Sequence, residues 1–177
     1  MNNPTTVFTT MPSPVGQLTL VGDGDDLIGL FFDGEANTAP RAEWTRDDRR
    51  LRPAAVQLQE YFAGKRTRFD LRLAPRGTAF QKAVWAALLR IPFGETASYG
   101  DIARAIGKPA ASRAIGGANH RNPIAIVIPC HRVIGADGSL TGYGGGLDHK
   151  RLLLELESRM RSAPARRVEP ALSAGGR

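Results

Sequence analysis

Cysteine is almost missing from this chain: there is one, Cys130, in 177 residues. A lone thiol closes no internal disulfide, so a reducing compartment is expected and the expected location is cytoplasmic. Metal ligands are equally scarce. The soft donors are Cys130, His120, His131 and His149, with no CxxC and no HExxH spacing, so neither a metal nor any other cofactor is expected. Long apolar runs are lacking too. No stretch approaches the roughly 18–20 apolar residues of a membrane span, and the first residues have neither the basic start nor the apolar core of a secretory signal. No membrane partner is expected. The glycine-rich stretch 135–146 lacks the GK[ST] ending of a phosphate loop, which argues against nucleoside triphosphate binding.

What is present is an ordinary globular composition, 42% apolar and 23% charged, in a chain long enough for one domain or two small ones. Net charge is +7 and unevenly placed. Residues 1–75 carry 9 basic and 10 acidic side chains, residues 76–160 carry 11 and 6, and residues 161–177 carry 4 and 1. The basic excess lies in the half that holds Cys130, a polyanion footprint of moderate strength.

Residues 5–33 read as a three-stranded antiparallel meander. Short apolar or alternating runs (Val7-Phe8, then 16–21 and 27–32) are separated by Pro12-Ser13-Pro14 and by the acidic, glycine-bearing stretch 22–26. Residues 34–46 read as a loop. Leu51, Ala55, Leu58 and Tyr61-Phe62 predict a helix over 47–63, stopped by Gly64. These 75 residues form a small α+β unit with no visible reactive cluster, and support of the second half is the role they suggest.

A second unit, 76–160, reads as mainly helical. Thr78 and Gln81 make a capping-box pattern ahead of Phe80, Val84, Leu88 and Ile91, and Pro92 ends that helix. Trp85 is expected in the core. Ser98 can cap a helix to about residue 106, with Gly107 as its stop, and Lys108-Pro109 starts a second one over 110–118. The pair reads as a helix-turn-helix. Its second helix is built of small residues, Ala114, Gly116 and Gly117 among them, with Arg113 as the one long polar probe. Such a helix can bring its backbone close to a minor groove and send one arginine into the base stack. A final helix over 148–160 carries Leu152, Leu153, Leu156 and Met160, with Glu157 on the flank of the stripe. A glutamate there needs a partner if buried, and an imidazole suits it. Residues 161–177, rich in Ala, Pro, Ser, Gly and Arg, read as a disordered basic tail.

Between these elements runs 122–133, where five apolar residues, 124–128, end at Pro129 and lead into Cys130, His131 and Arg132. The run predicts a buried active-site strand. Asn122 before Pro123 suits a turn closed by its own side chain. In a straight strand Cys130 and His131 would face opposite ways, so contact between them demands a turn after Pro129 or a bridging water. A thiol is a useful nucleophile as thiolate, and a carboxylate on the far imidazole nitrogen would orient the ring. Cysteine hydrolases satisfy the same Cys130/His131/Glu157 set, so that alternative stands at this point.

Pro129-Cys130-His131-Arg132-Val133 resembles the signature of the O6-alkylguanine-DNA alkyltransferases, the methylated-DNA–protein-cysteine methyltransferases. Ser98-Tyr99, the run 112–119, Asn122-Pro123, Gly142-Tyr143-Gly144-Gly145-Gly146 and Glu157 follow in that family's order. The likeness is strong over about 76–158 and looser before it. It implies direct-reversal repair. An alkyl group would pass from O6-alkylguanine, and from O4-alkylthymine, in duplex DNA to Cys130 in a single irreversible turnover. His131 and Glu157 would activate the thiol through a water, and Asn122 would buttress it. Tyr99 would donate to the departing base and help evert it, and Arg113 would fill the gap. Ala114, Gly116, Gly117 and Asn119 would meet DNA, while Val133, Tyr143 and Gly144 with the Cys130 backbone would line the base pocket. Arg132 is assigned to local structure. The partner implied is double-stranded DNA carrying O6-alkylguanine, bound by a monomer able to act cooperatively on DNA. Many members have a bulky residue in place of Asn119, and some have serine in place of Gly144.

Overall fold

The computed structural model describes residues 6–34 and 40–162. From residue 163 onward the expected basic tail lies outside the described residues. The N-terminal meander is present as β1 (Thr6–Ser13), β2 (Gly16–Asp23) and β3 (Asp26–Phe32), paired antiparallel in sequence order. A fourth strand, β4 (Thr45–Arg46), stands where a loop is expected. It runs parallel to β1 and gives the sheet order β3-β2-β1-β4. Helix α1 is shorter than its apolar spacing predicts, Arg52–Phe62. Pro53 suits the first turn of a helix and not its interior. Residues ahead of it form turns, one of them closed by Asp47 Oδ1 accepting from the Arg50 N–H at 2.9 Å.

In the second half, α2 (Ala79–Leu88) starts where the capping box predicts, with both reciprocal Thr78–Gln81 hydrogen bonds made. Such a cap contributes about 1 kcal/mol. Trp85 is buried and its indole N–H donates to the Ala118 carbonyl at 2.9 Å, tying α2 to α4 (Ser112–His120). Helix α3 (Tyr99–Ala105) is capped by Ser98, and Gly107 follows it at φ +71°. The expected second helix begins two residues late. The Ala111 N–H closes a turn on Lys108 at 2.9 Å, so residues 108–111 are turn and the helix opens at Ser112. The last helix, α5 (Leu147–Ser162), follows the glycine-rich loop.

The expected active-site strand is not a strand. Residues 124–128 are buried throughout, but only Ile124 makes a β-bridge, to Leu30. The chain then turns on itself: the Val127 N–H donates to the Ala125 carbonyl at 2.7 Å and the Ile128 N–H to the Ile124 carbonyl at 3.0 Å. Ile126 sits at φ +68°, an outlying conformation for a β-branched residue that costs about 1–3 kcal/mol. Complete burial of its side chain holds it there. An unbroken apolar run reports burial, not extension. The segment is stapled to the free edge of β3, where the Leu30 N–H donates to the Pro123 carbonyl and the Ala125 N–H to the Leu30 carbonyl. Both halves therefore share one core around Leu30, Ile124 and Ile126, and the sheet edge is covered.

Candidate active site

Pro129 ends the buried segment, and Cys130–Arg132 form one turn of 3₁₀ helix before β6 (Val133–Ile134). That turn meets the demand made by the sequence, because it re-aims adjacent side chains that a strand would separate. Strand β6 pairs in parallel with β5 (Ala97–Ser98), which brings the start of α3 beside the segment that carries Cys130.

Asn122 closes its predicted turn by accepting from the Ile124 N–H at 3.1 Å. Its amide donates to the Ile128 carbonyl at 2.8 Å and to Cys130 Sγ at 3.1 Å. Cys130 is largely buried, 6% exposed, and lines a cleft of about 580 Å³ with Asn119, Asn122, Tyr143, Gly144 and Phe32. A donor aimed at sulfur stabilises negative charge there.

His131 and Glu157 are both fully buried, with His131 Nε2 2.8 Å from Glu157 Oε1. His131 Nδ1 has no partner among the described residues. Glu157 is also gripped by Arg132, whose Nε donates to Oε2 at 2.8 Å and Nη2 to Oε1 at 3.0 Å, while Nη1 donates to the Ile91 carbonyl. The Tyr61 hydroxyl donates to Oε1 at 2.7 Å and the Gly94 N–H to Oε2 at 3.1 Å. Burial alone would raise the Glu157 carboxyl, but the hydrogen bonds and charges of His131 and Arg132 outweigh it and hold it well below the usual carboxylate range. Burial lowers His131 despite the opposing pull of Glu157. The site thus holds a neutral imidazole on an ionised carboxylate next to a cleft-lining thiol, an arrangement able to take a proton from sulfur.

Two family models divide the described chain. One, described as 6-O-methylguanine DNA methyltransferase, ribonuclease-like domain, matches residues 6–75, and the DNA binding domain of the same name matches residues 79–159. The chain belongs to the 6-O-methylguanine DNA methyltransferase family. It is 55% identical over 150 residues to the methylated-DNA–protein-cysteine methyltransferase of Mycobacterium bovis, covering 85% of this chain and 91% of that one. It is 54% identical to the protein of that name from Methanosarcina barkeri, covering 85% and 96%. The crystal structure of Mycobacterium tuberculosis OGT in complex with DNA superposes with a TM-score of 0.83 at 54% identity, covering 90% of this chain and 96% of that one.

The stretch matched by the DNA-binding model holds most of the residues singled out in the sequence, but in two groups. Cys130, Asn122, Asn119, Tyr143 and Gly144 line the cleft, with His131 and Glu157 behind them. Tyr99, Arg113, Ala114, Gly116 and Gly117 lie on α3 and α4 and are not among its lining residues. Tyr99 is tied to Thr141, accepting from its hydroxyl at 3.1 Å, and a Cβ on Gly116 would come within 3.9 Å of the Tyr99 ring. Arg113 and Ala114 are exposed, whereas Asn119 is buried. Val133 is fully buried and absent from the lining, and its carbonyl accepts from Lys150 Nζ.

Sequence reasoning missed three contributors. Lys150 is buried and donates to the carbonyls of Val133 and Thr141; burial lowers its pKa, and the nearby Cys130 opposes that. With Leu153 and Glu157 it forms the buried stripe of α5, a helical spacing that the sequence does contain. Tyr61 reaches Glu157 from across 96 residues. Phe32, with Asp33 and Gly34, brings the N-terminal sheet to the cleft. The Phe32 ring stacks on His149 at 5.1 Å and meets Tyr143 edge-on at 5.8 Å. A Cβ on Gly145 would fall 2.6 Å from this ring. Gly145→Ala is therefore expected to cost about 1–3 kcal/mol of stability and to slow reaction at Cys130, as thermal unfolding and a kinetic assay on the same preparation would read.

Proposed function

We propose that this protein is a single-use DNA repair methyltransferase that moves the alkyl group of O6-alkylguanine in duplex DNA onto Cys130. The observation that carries the reading is one cleft-lining thiol with an amide donor on its sulfur and a buried His131–Glu157 pair behind it. The family's DNA-binding domain spans that same stretch, and the basic excess of residues 76–160 suits a polyanion. The thiol proton passes, by way of a water, to His131 Nδ1, the nitrogen without a partner among the described residues, while Glu157 holds the other side of the ring. The sulfur then attacks the alkyl carbon in line. The C–S bond forms as the C–O bond breaks, and the electron pair leaves on the guanine, which takes up a proton. Nothing in the site reverses a thioether, so each molecule reacts once. The attacked atom lies inside the duplex, so the nucleotide must be everted. Tyr99 assists eversion, Arg113 fills the vacated place, and the α4 backbone at Ala114, Gly116 and Gly117 lies along the minor groove. Tyr143, Gly144 and Asn119 wall the everted base.

The test mixes protein with a duplex carrying radiolabelled O6-methylguanine. Label should move to protein up to one equivalent, and Cys130→Ala should accept none. Repeated turnover, or hydrolysis of an ester or amide dependent on Cys130, would replace this reading with the cysteine-hydrolase one.

A further inference from the structure

Glu157 is held from both halves of the molecule. Its Oε1 takes hydrogen bonds from His131 Nε2 at 2.8 Å, from the Tyr61 hydroxyl at 2.7 Å and from Arg132 Nη2 at 3.0 Å. Tyr61 belongs to α1, is fully buried, and packs among Phe62, Phe69 and Phe93 at ring-centroid distances of 5.3, 5.5 and 6.1 Å. Packing in that aromatic nest needs a ring but no hydroxyl. The hydroxyl is directed at the one carboxylate oxygen that also orients the histidine.

We propose that Tyr61 is a positioning residue for alkyl transfer, supplied by the N-terminal half: its hydroxyl fixes Glu157 Oε1 and limits how strongly that oxygen polarises His131. The inference rests on the roles given above to Cys130, His131 and Glu157. Its physical basis is competition for a single acceptor. An oxygen already bonded to a phenol is a weaker acceptor for an imidazole N–H, so the resting imidazole is less readily protonated and remains available as a base. The charged and titratable groups around the pair are Arg132 and Cys130 from the 3₁₀ turn, Lys150 from α5 and Tyr61 from α1, with the Gly94 N–H completing the Glu157 shell. Burial, reinforced by the Glu157 charge, raises the Tyr61 hydroxyl well above its ordinary value, so it remains a donor. Within this set, Tyr61 can lose its polar atom with no change in net charge.

Tyr61→Phe deletes that one oxygen. Two measurements read the result: the pH profile of single-turnover transfer from an O6-methylguanine duplex, and the nitrogen NMR titration of His131 in unreacted protein. His131 is expected to titrate about half a pH unit higher, and the acid limb of the profile to move with it. Transfer would then fall about threefold at pH values well below the His131 midpoint and stay within about twofold near pH 8.5. Fluorotyrosine placed at position 61 keeps the ring and makes its hydroxyl a stronger donor, so it should move both readouts to lower pH; it also serves if Tyr61→Phe fails to fold. Unmoved readouts in a folded variant, or a loss equal at every pH, would overturn the proposal. The NMR titration needs no reaction, so it decides the role of Tyr61 even if the wild-type protein accepts no alkyl group, the outcome that would instead defeat the proposed function.

Discussion

An Arg132→Leu variant is expected to lose about 3–5 kcal/mol of stability at neutral pH, because removing one partner of a buried ion pair strands the other. Arg132 gives Glu157 two charge-assisted hydrogen bonds and anchors its third nitrogen on the Ile91 carbonyl. Leucine replaces none of these. The pH dependence follows from the directions of the shifts. The folded Glu157 carboxyl lies below its unfolded value, so its contribution is fully present above the ordinary carboxylate range and is lost as pH falls toward the folded value. His131 is also depressed when folded, so protonation of the unfolded chain below the ordinary histidine value of 6.5 works against the fold. Wild type therefore weakens on acidification through both groups. In Arg132→Leu the Glu157 contribution is already reduced, and the gap to wild type should narrow between pH 7 and about pH 4. Urea unfolding at the two values checks this. A gap under about 1 kcal/mol at pH 7, or one that stays constant, would show that the pair is not what holds the carboxylate.

Arg113→Ala is expected to slow reaction with O6-methylguanine in duplex DNA by about tenfold to a hundredfold, since everting a base costs a few kcal/mol and a side chain in the gap offsets part of it. The free base O6-benzylguanine should react with the variant within about twofold of the wild-type rate, because nothing has to be unstacked. Arg113 is exposed on α4 and does not line the Cys130 cleft, so the substitution leaves the chemistry in place. Single-turnover rates on both substrates decide it. Equal loss on the two would mean that Arg113 acts on the site itself, and no loss on the duplex would remove it from eversion.

Local structure is legible in the sequence where one side chain closes one turn. The Thr78–Gln81 box, the Ser98 cap and the Asn122 turn all form as their residue types require. Gly64 and Gly107 stop their helices at φ +72° and +71°. What escaped was set by distant partners. The 124–128 run turns because the β3 edge and the Asn122 amide claim its backbone groups, and its composition carries no trace of that. Tyr61 sits three residues after Leu58 on the buried stripe of α1, where an aromatic reads as core until Glu157 is seen at its hydroxyl. Arg132, assigned to local structure, does hold the Ile91 carbonyl, but it also neutralises Glu157. The N-terminal half, read as support alone, supplies Tyr61 to the carboxylate and Phe32 to the wall of the cleft.

Mass mapping of the reacted protein tests the central claim most directly. After incubation with excess O6-methylguanine duplex, the peptide containing Cys130 should gain one methyl group in stoichiometric yield, with unmodified guanine left in the DNA and no further reaction on fresh duplex. A methyl group on any other residue, or restored guanine alongside an unmodified Cys130, would contradict the account.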